Sequence, residues 1–316
     1  MKLVQFWHNN APALGLQTPQ GIVDVQAEAA RRGIKQRVLL RLTPAIDPHT
    51  YEAVSTGKVD SKFGAAVETG QAMELVKLAL TLPHLDLRGL HCHVGSQVFG
   101  EGVYQRTLDI MVPFLASIRE ETGVTLSNLN LGGGYGVRYT AEDEAIDIPA
   151  RLAELAAYLK EETERLGLPM PRFLMEPGRS IVADAGMTLY TVGSVKRIPG
   201  YKQYAAVDGG MTDNPRYALY QSRYTVYHAH KSGSLERFDV VGRCCESGDI
   251  IQPGVELPGD TCRGDLLAVC TTGAYNYSMA SNYNRLPRPA VVMLTPDRIY
   301  EAVRRETFAD LTGLDL

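Results

Sequence analysis

Leu129-Asn-Leu-Gly-Gly-Gly-Tyr-Gly136 and Phe173-Leu-Met-Glu-Pro-Gly-Arg-Ser-Ile181 each read as a short apolar strand that stops abruptly at glycines. In a parallel α/β protein such a strand delivers the chain to a point where bare backbone N–H groups can approach a phosphate. When such loops follow the last two strands of a β/α barrel they form its usual phosphate site. A tight loop also needs glycine for its own sake, so the pair alone leaves both readings open.

Working outward, strands and helices alternate. Arg37–Thr43 reads as a buried strand ended by Pro44, and Ala65–Leu80 as a helix with Met73, Val76 and Leu80 near one face. Leu87–Val94 and Leu126–Leu131 are further strands, Tyr104–Glu121 and Pro149–Leu166 helices, and Phe173–Met175 the last strand of the series. This spacing predicts βαβ units and a parallel sheet. A barrel needs eight strands, and the series supplies four, with Gly21–Val25 as a possible remnant of one before. Past Asp184 the texture changes to short β-rich runs: Met187–Val195, Tyr204–Val207, Phe238–Val241, Leu266–Cys270 and Ala290–Leu294. The expected architecture is α/β plus β. A partial β/α barrel, holding the C-terminal half of the strands, covers residues 1–184, and a mainly antiparallel β domain covers 185–316.

With 316 residues, 45% of them hydrophobic, the chain can bury a large core. A net charge of -4 argues against nucleic acid as a partner. No apolar run reaches membrane-spanning length, and the first residues lack the apolar stretch of a signal peptide. Five cysteines without C-x-x-C spacing fit reduced thiols, hence a cytoplasmic setting.

Several clusters could carry chemistry. His91-Cys-His93-Val-Gly-Ser96 ends its strand with two imidazoles on one face, but no further ligand stands nearby to complete a metal set. An imidazole packed over a flat cofactor, with Ser96 reaching a phosphate, suits the glycine loops better; for His91 a satisfied core position is the favoured reading. Glu176 would repel a phosphate, so it needs a cationic partner. One such partner is the protonated ring nitrogen of pyridoxal phosphate. Arg179 could clamp a carboxylate through paired hydrogen bonds, or simply pair with Glu176 across Pro177-Gly178. Arg216 and Tyr220, Cys245 beside Glu246, and Tyr275 are the corresponding candidates in the second domain.

Arg41–Thr50, Ser55–Gly64, HCHVGSQ (91–97), LNLGGGYG (129–136), MEPGRS (175–180), DGGMTDNPRYALY (208–220), CESGD (245–249) and GAYNYSMASNYN (273–284) occur in this order. Together they closely resemble the diaminopimelate decarboxylase family, pyridoxal phosphate enzymes of the alanine-racemase-like fold. The resemblance implies that His93 stacks on the pyridine ring. Ser96, Gly133 and Gly134 would hold the phosphate, Glu176 would meet the ring nitrogen, and Pro177, Gly178 and Arg179 would complete the cradle. It further implies that Arg179, Arg216 and Tyr220 bind meso-diaminopimelate, that Glu246 recognises its distal ammonium, and that Tyr275 touches cofactor and substrate. Cys245 is implied as the proton donor, and a homodimer with shared sites as the assembly. The implied reaction gives L-lysine and CO₂, a step of lysine biosynthesis.

One family feature is missing. Members carry the cofactor on a lysine in a Tyr-Ala-x-Lys-Ala-Asn-like setting, upstream of the region matched here. None of the nine lysines (2, 35, 58, 62, 77, 160, 196, 202 and 231) has that context. The sequence is therefore expected to be an N-terminally truncated member with impaired activity, or a non-catalytic remnant that binds the cofactor or a partner.

Overall fold

A computed structural model describes residues 2–8, 11–18, 21–47, 57 and 61–316. Half of the Ser55–Gly64 motif, Lys58 included, and the end of the Arg41–Thr50 motif lie outside the described residues. The chain divides into two compact units: Met1–Gly136 with Ile146–Gly178, and Val137–Ala145 with Arg179–Leu316.

The first unit opens with β1 (Lys2–His8), β2 (Ala11–Thr18) and β3 (Gly21–Asp24), an antiparallel sheet in chain order. Gly21–Asp24 is thus no remnant of the parallel series: it pairs antiparallel with Gly15–Thr18. Asp24 then caps α1 (Val25–Arg32) by accepting from Ala27 N, and Gly33 ends that helix at φ 66°.

The parallel series follows as β4 (Gln36–Thr43), β5 (Ala65–Ala66), α2 (Gln71–Thr81), β6 (Leu85–Cys92), α3 (Val103–Thr122), β7 (Asn128–Asn130), α4 (Ile148–Arg165) and β8 (Arg172–Leu174). Its five strands are ordered β5-β4-β6-β7-β8, every pair parallel. This is the partial β/α barrel that the alternation predicted. The expected helix Ala65–Leu80 starts later: Ala65 and Ala66 pair with Leu42 and Thr43, and Gly70 at φ 84° turns the chain into α2.

Period-2 alternation along β4 sends Val38, Leu40 and Leu42 into the helix layer and leaves Leu39 and Arg41 half-buried on the other face. Leu40, Leu90 and Leu129 of the strands meet Leu108 and Met111 of α3 and Leu159 of α4, each almost wholly buried. That packing fixes where the strand ends fall, and parallel sheets bind ligands at those ends.

The second unit begins within α5 (Gly178–Val182) and continues through β9 (Met187–Ile198), β10 (Lys202–Val207), α6 (Arg216–Tyr220), β11 (Val226–His228), β12 (Leu235–Val241), β13 (Ile250–Pro258) and β14 (Leu266–Cys270). These strands form one sheet, β11-β14-β9-β10-β12-β13, antiparallel except where β10 meets β12. After α7 (Asn276–Met279) come a hairpin of β15 (Val291–Leu294) and β16 (Ile299–Val303), and then α8 (Phe308–Thr312). Phe238, Val240, Ile251 and Leu267 make its fully buried centre. Val137–Ala145, lying between β7 and α4 in sequence, also belongs to this unit. Tyr139 is buried there, its carbonyl accepting from both Thr225 N and Thr225 Oγ1.

All five cysteines are free. Among the described residues, no helix is long and apolar enough to cross a membrane.

Candidate active site

In the first unit, three adjacent strand ends carry the chemistry. His91 lies on β6, with His93 and Ser96 just beyond it. Asn130 ends β7 and is followed by the glycines; Glu176 follows β8. The glycine loop is packed backbone to backbone. A Cβ on Gly133 would sit 1.9 Å from the Glu176 carbonyl oxygen, and one on Gly134 2.1 Å from that of Gly95. Gly134 also takes φ +114°, which side chains rarely adopt. The amide of Gly133 is already spent, donating to His93 Nδ1 at 3.3 Å, and that of Gly132 donates to Asn130 Oδ1 at 2.8 Å. The position of Gly133 therefore leaves no room for a side chain. Among the described residues, Gly134 is the loop glycine whose amide has no protein acceptor.

The Glu176 carboxylate is held by a neutral donor, Asn130 Nδ2 at 2.8 Å, while His91 Nε2 stands 3.7 Å from its other oxygen. Burial, the largest influence, pushes the His91 pKa down to about 4 against the pull of Glu176. His91 is thus uncharged near neutrality and does not cancel the carboxylate. His93 is shifted the same way, by burial first and then by Arg41. Cys92, between them, is pushed up to about 12 by burial and is an inert core thiol.

The His91 shift has a testable sign. Its folded pKa lies below the unfolded value, so on acidification the unfolded chain takes up the proton first. Stability contributed by neutral His91 is therefore lost as pH falls from about 6.5 towards about 4. Urea midpoints for wild type and His91→Gln, measured at about pH 7 and about pH 5, are expected to show the larger acid loss in wild type. Equal losses would contradict the assignment.

In the second unit, Arg179 and Arg216 are both 4% exposed. Their guanidinium carbons lie 4.9 and 5.9 Å from the centre of the Tyr275 ring. Arg179 Nη1 donates to Tyr139 Oη. Arg216 rests on the Tyr220 ring at 5.1 Å and approaches Met279 Sδ at 3.6 Å. Among the described residues, no carboxylate pairs with Arg216, and its Nε has no hydrogen-bond partner. A buried cation without a counter-ion is costly unless a ligand supplies the anion.

Cys245 and Glu246 are exposed, on the loop between β12 and β13. Asp249 anchors that loop: buried, it accepts from Cys244 N at 2.7 Å and from Met211 N at 2.6 Å. It thereby ties the loop bearing Cys245 to the segment that leads into Arg216.

A model of the pyridoxal-dependent decarboxylases, covering their pyridoxal-binding domain, matches residues 9–183. The diaminopimelate decarboxylase of Actinosynnema pretiosum subsp. auranticum is 44% identical over 304 residues, covering 95% of this chain and 68% of the relative. The chain belongs to the diaminopimelate decarboxylase family. The Bacillus subtilis (strain 168) family member is likewise 44% identical, over 281 residues and 88% of this chain, and the chain spans 64% of that relative's length. The solved diaminopimelate decarboxylase of M. jannaschii in complex with L-lysine superposes with a TM-score of 0.83 at 32% identity, covering 92% of this chain and 66% of that one.

Within the family frame, the structure brings His93, Gly133, Gly134 and Glu176 together in one unit, with Ser96 on the loop after β6, and Arg179, Arg216, Tyr220 and Tyr275 in the other. Pro177 and Gly178 connect Glu176 to Arg179, and Gly178 N donates back to Glu176 O at 2.8 Å. Sequence reasoning passed over Asn130, Tyr139 and Asp249. Asn130 had a legible signal, a polar residue at the buried end of an apolar strand. Tyr139 had none, because nothing local says that its segment joins the second unit.

The donor set suits pyridoxal phosphate. Glycine backbone and Ser96 suit its anionic end, a half-buried imidazole its flat ring, and a carboxylate held by neutral groups its protonated nitrogen.

Proposed function

We propose that this chain carries the cofactor-binding and substrate-binding residues of a meso-diaminopimelate decarboxylase, which releases CO₂ and forms L-lysine. The observation that carries the reading is Arg216, a buried guanidinium with no carboxylate partner among the described residues, stacked with Arg179 on Tyr275. A substrate with a carboxylate at each end and ammonium groups between suits two such cations better than a monocarboxylate does.

When bound, pyridoxal phosphate supplies the electron sink for the pair left as CO₂ departs. The chain supplies the rest. Gly134, Ser96 and the Pro177–Arg179 turn bind the phosphate end, and Glu176 holds the ring nitrogen's proton. Arg179, Arg216 and Tyr220 orient the carboxylates, Glu246 meets the distal ammonium, and Cys245 returns a proton to the α-carbon. The exposure of Cys245 and Glu246 in a single chain supports a homodimer in which this loop serves a second copy.

No lysine of the 316 residues has the cofactor-holding context, and this supports a further reading, that these 316 residues alone turn over slowly. Incubation of the purified chain with pyridoxal phosphate and meso-diaminopimelate, with CO₂ and lysine measured, tests this. Trace or no product is the expected result, and robust turnover would refute impairment. A chain that binds neither cofactor nor dicarboxylate would instead favour a partner-binding remnant.

A further inference from the structure

We infer that Tyr139 is a positioning residue that sets the Arg179 guanidinium for the substrate carboxylate; the inference rests on the dicarboxylate reading above. Tyr139 is 7% exposed, and its phenol sits between two parts of the candidate site. It accepts a hydrogen bond from Arg179 Nη1 and donates one to the carbonyl of Ala274 at 3.2 Å. Ala274, itself 2% exposed, is the residue before Tyr275. The Tyr275 ring is the surface against which both guanidinium groups lie. One hydroxyl therefore fixes one edge of Arg179 and the backbone that presents the ring beneath it.

Tyr139 is itself held. Its ring meets Tyr224 edge to face at 5.4 Å between centres, and its backbone N–H and that of Thr140 donate to Asp143 Oδ2 at 2.9 and 2.8 Å. The carbonyl accepts twice from Thr225. A phenol restrained at ring and backbone can orient a partner, because ordering it when ligand arrives costs little. A guanidinium has five donors in a fixed plane. With one edge tied to Tyr139, the plane of Arg179 can no longer rotate freely, so the guanidinium keeps one orientation. Phenylalanine would keep the ring packing and lose only this orientation.

Pimelate, a dicarboxylate without the amines, has no group to react with the cofactor's aldehyde and so reports on the carboxylate site alone. Calorimetric titration of the full chain is expected to show Tyr139→Phe binding pimelate roughly 10-fold or more weakly than wild type. Far-UV circular dichroism of the variant is expected to be unchanged. Arg179→Lys is expected to weaken binding as well, and adding Tyr139→Phe to it to cost no more than about 3-fold further, because the phenol acts through that guanidinium. A wild-type affinity in Tyr139→Phe would overturn the inference. So would fully multiplying effects in the double variant, or a Tyr139→Phe chain that does not fold, since the phenol's role would then be general stability. Failure of wild type to bind pimelate, or wild-type binding by Arg216→Ala, would instead remove the dicarboxylate reading itself.

Discussion

Replacing Gly133 by alanine is expected to lower pyridoxal phosphate affinity by about two orders of magnitude, the scale on which an ångström of misplacement acts at a reacting site. The new methyl carbon would lie 1.9 Å from the Glu176 carbonyl oxygen and 2.8 Å from its carbon, both backbone atoms with no side-chain freedom to yield. Relief requires the ends of β7 and β8 to part. They are joined there by Leu131 N to Leu174 O at 3.1 Å and Glu176 N to Gly132 O at 2.7 Å. Moving Glu176 also takes its carboxylate away from Asn130. Overpacking of this kind costs about 1–3 kcal/mol of stability or more. Equilibrium dialysis against the cofactor and a urea melt measure the two effects. Gly233→Ala, where a Cβ meets nothing within 4 Å, is the control expected to change neither.

Arg216→Ala is expected to have the largest effect on the substrate side. Truncating one partner of a buried hydrogen-bonded charge pair costs about 2–5 kcal/mol, which is roughly 30-fold to several thousand-fold in Kd for meso-diaminopimelate. Without ligand the change should be nearly neutral or stabilising, because it removes a buried cation that has no carboxylate partner among the described residues. Opposite signs for affinity and stability are what distinguish a binding arginine from a structural one. A titration paired with a thermal melt reads both. A melt that falls steeply in the variant would place Arg216 in the fold's own support.

How far the sequence revealed this can be traced element by element. β6, α3, β7, α4 and β8 were legible because each has a clean period and glycine or proline near its ends. Ala65–Ala66 was not, since two alanines carry no strand signal and pair only because β4 offers a free edge. Gly21–Asp24 has a strand's composition, but nothing in the sequence says whether its partner runs parallel or antiparallel. In the candidate site, Glu176 and the glycines were visible as charge and flexibility at strand ends. Asn130 was legible as a polar residue at the buried end of an apolar strand, but its hold on that carboxylate required knowing which strands are neighbours. Tyr139 required more: residues 137–145 leave one unit for the other, and only long-range packing shows it.

The central claim is that Gly134, Ser96 and Glu176 hold pyridoxal phosphate, with Glu176 at its ring nitrogen. Calorimetric titration of pyridoxal phosphate into the purified chain and into Glu176→Gln tests it most directly. The account predicts one site per chain in wild type and at least roughly 10-fold weaker binding in the variant, the loss expected for a charged hydrogen bond. Wild-type chain that takes up no cofactor, or a variant that binds it as tightly as wild type, would contradict the account.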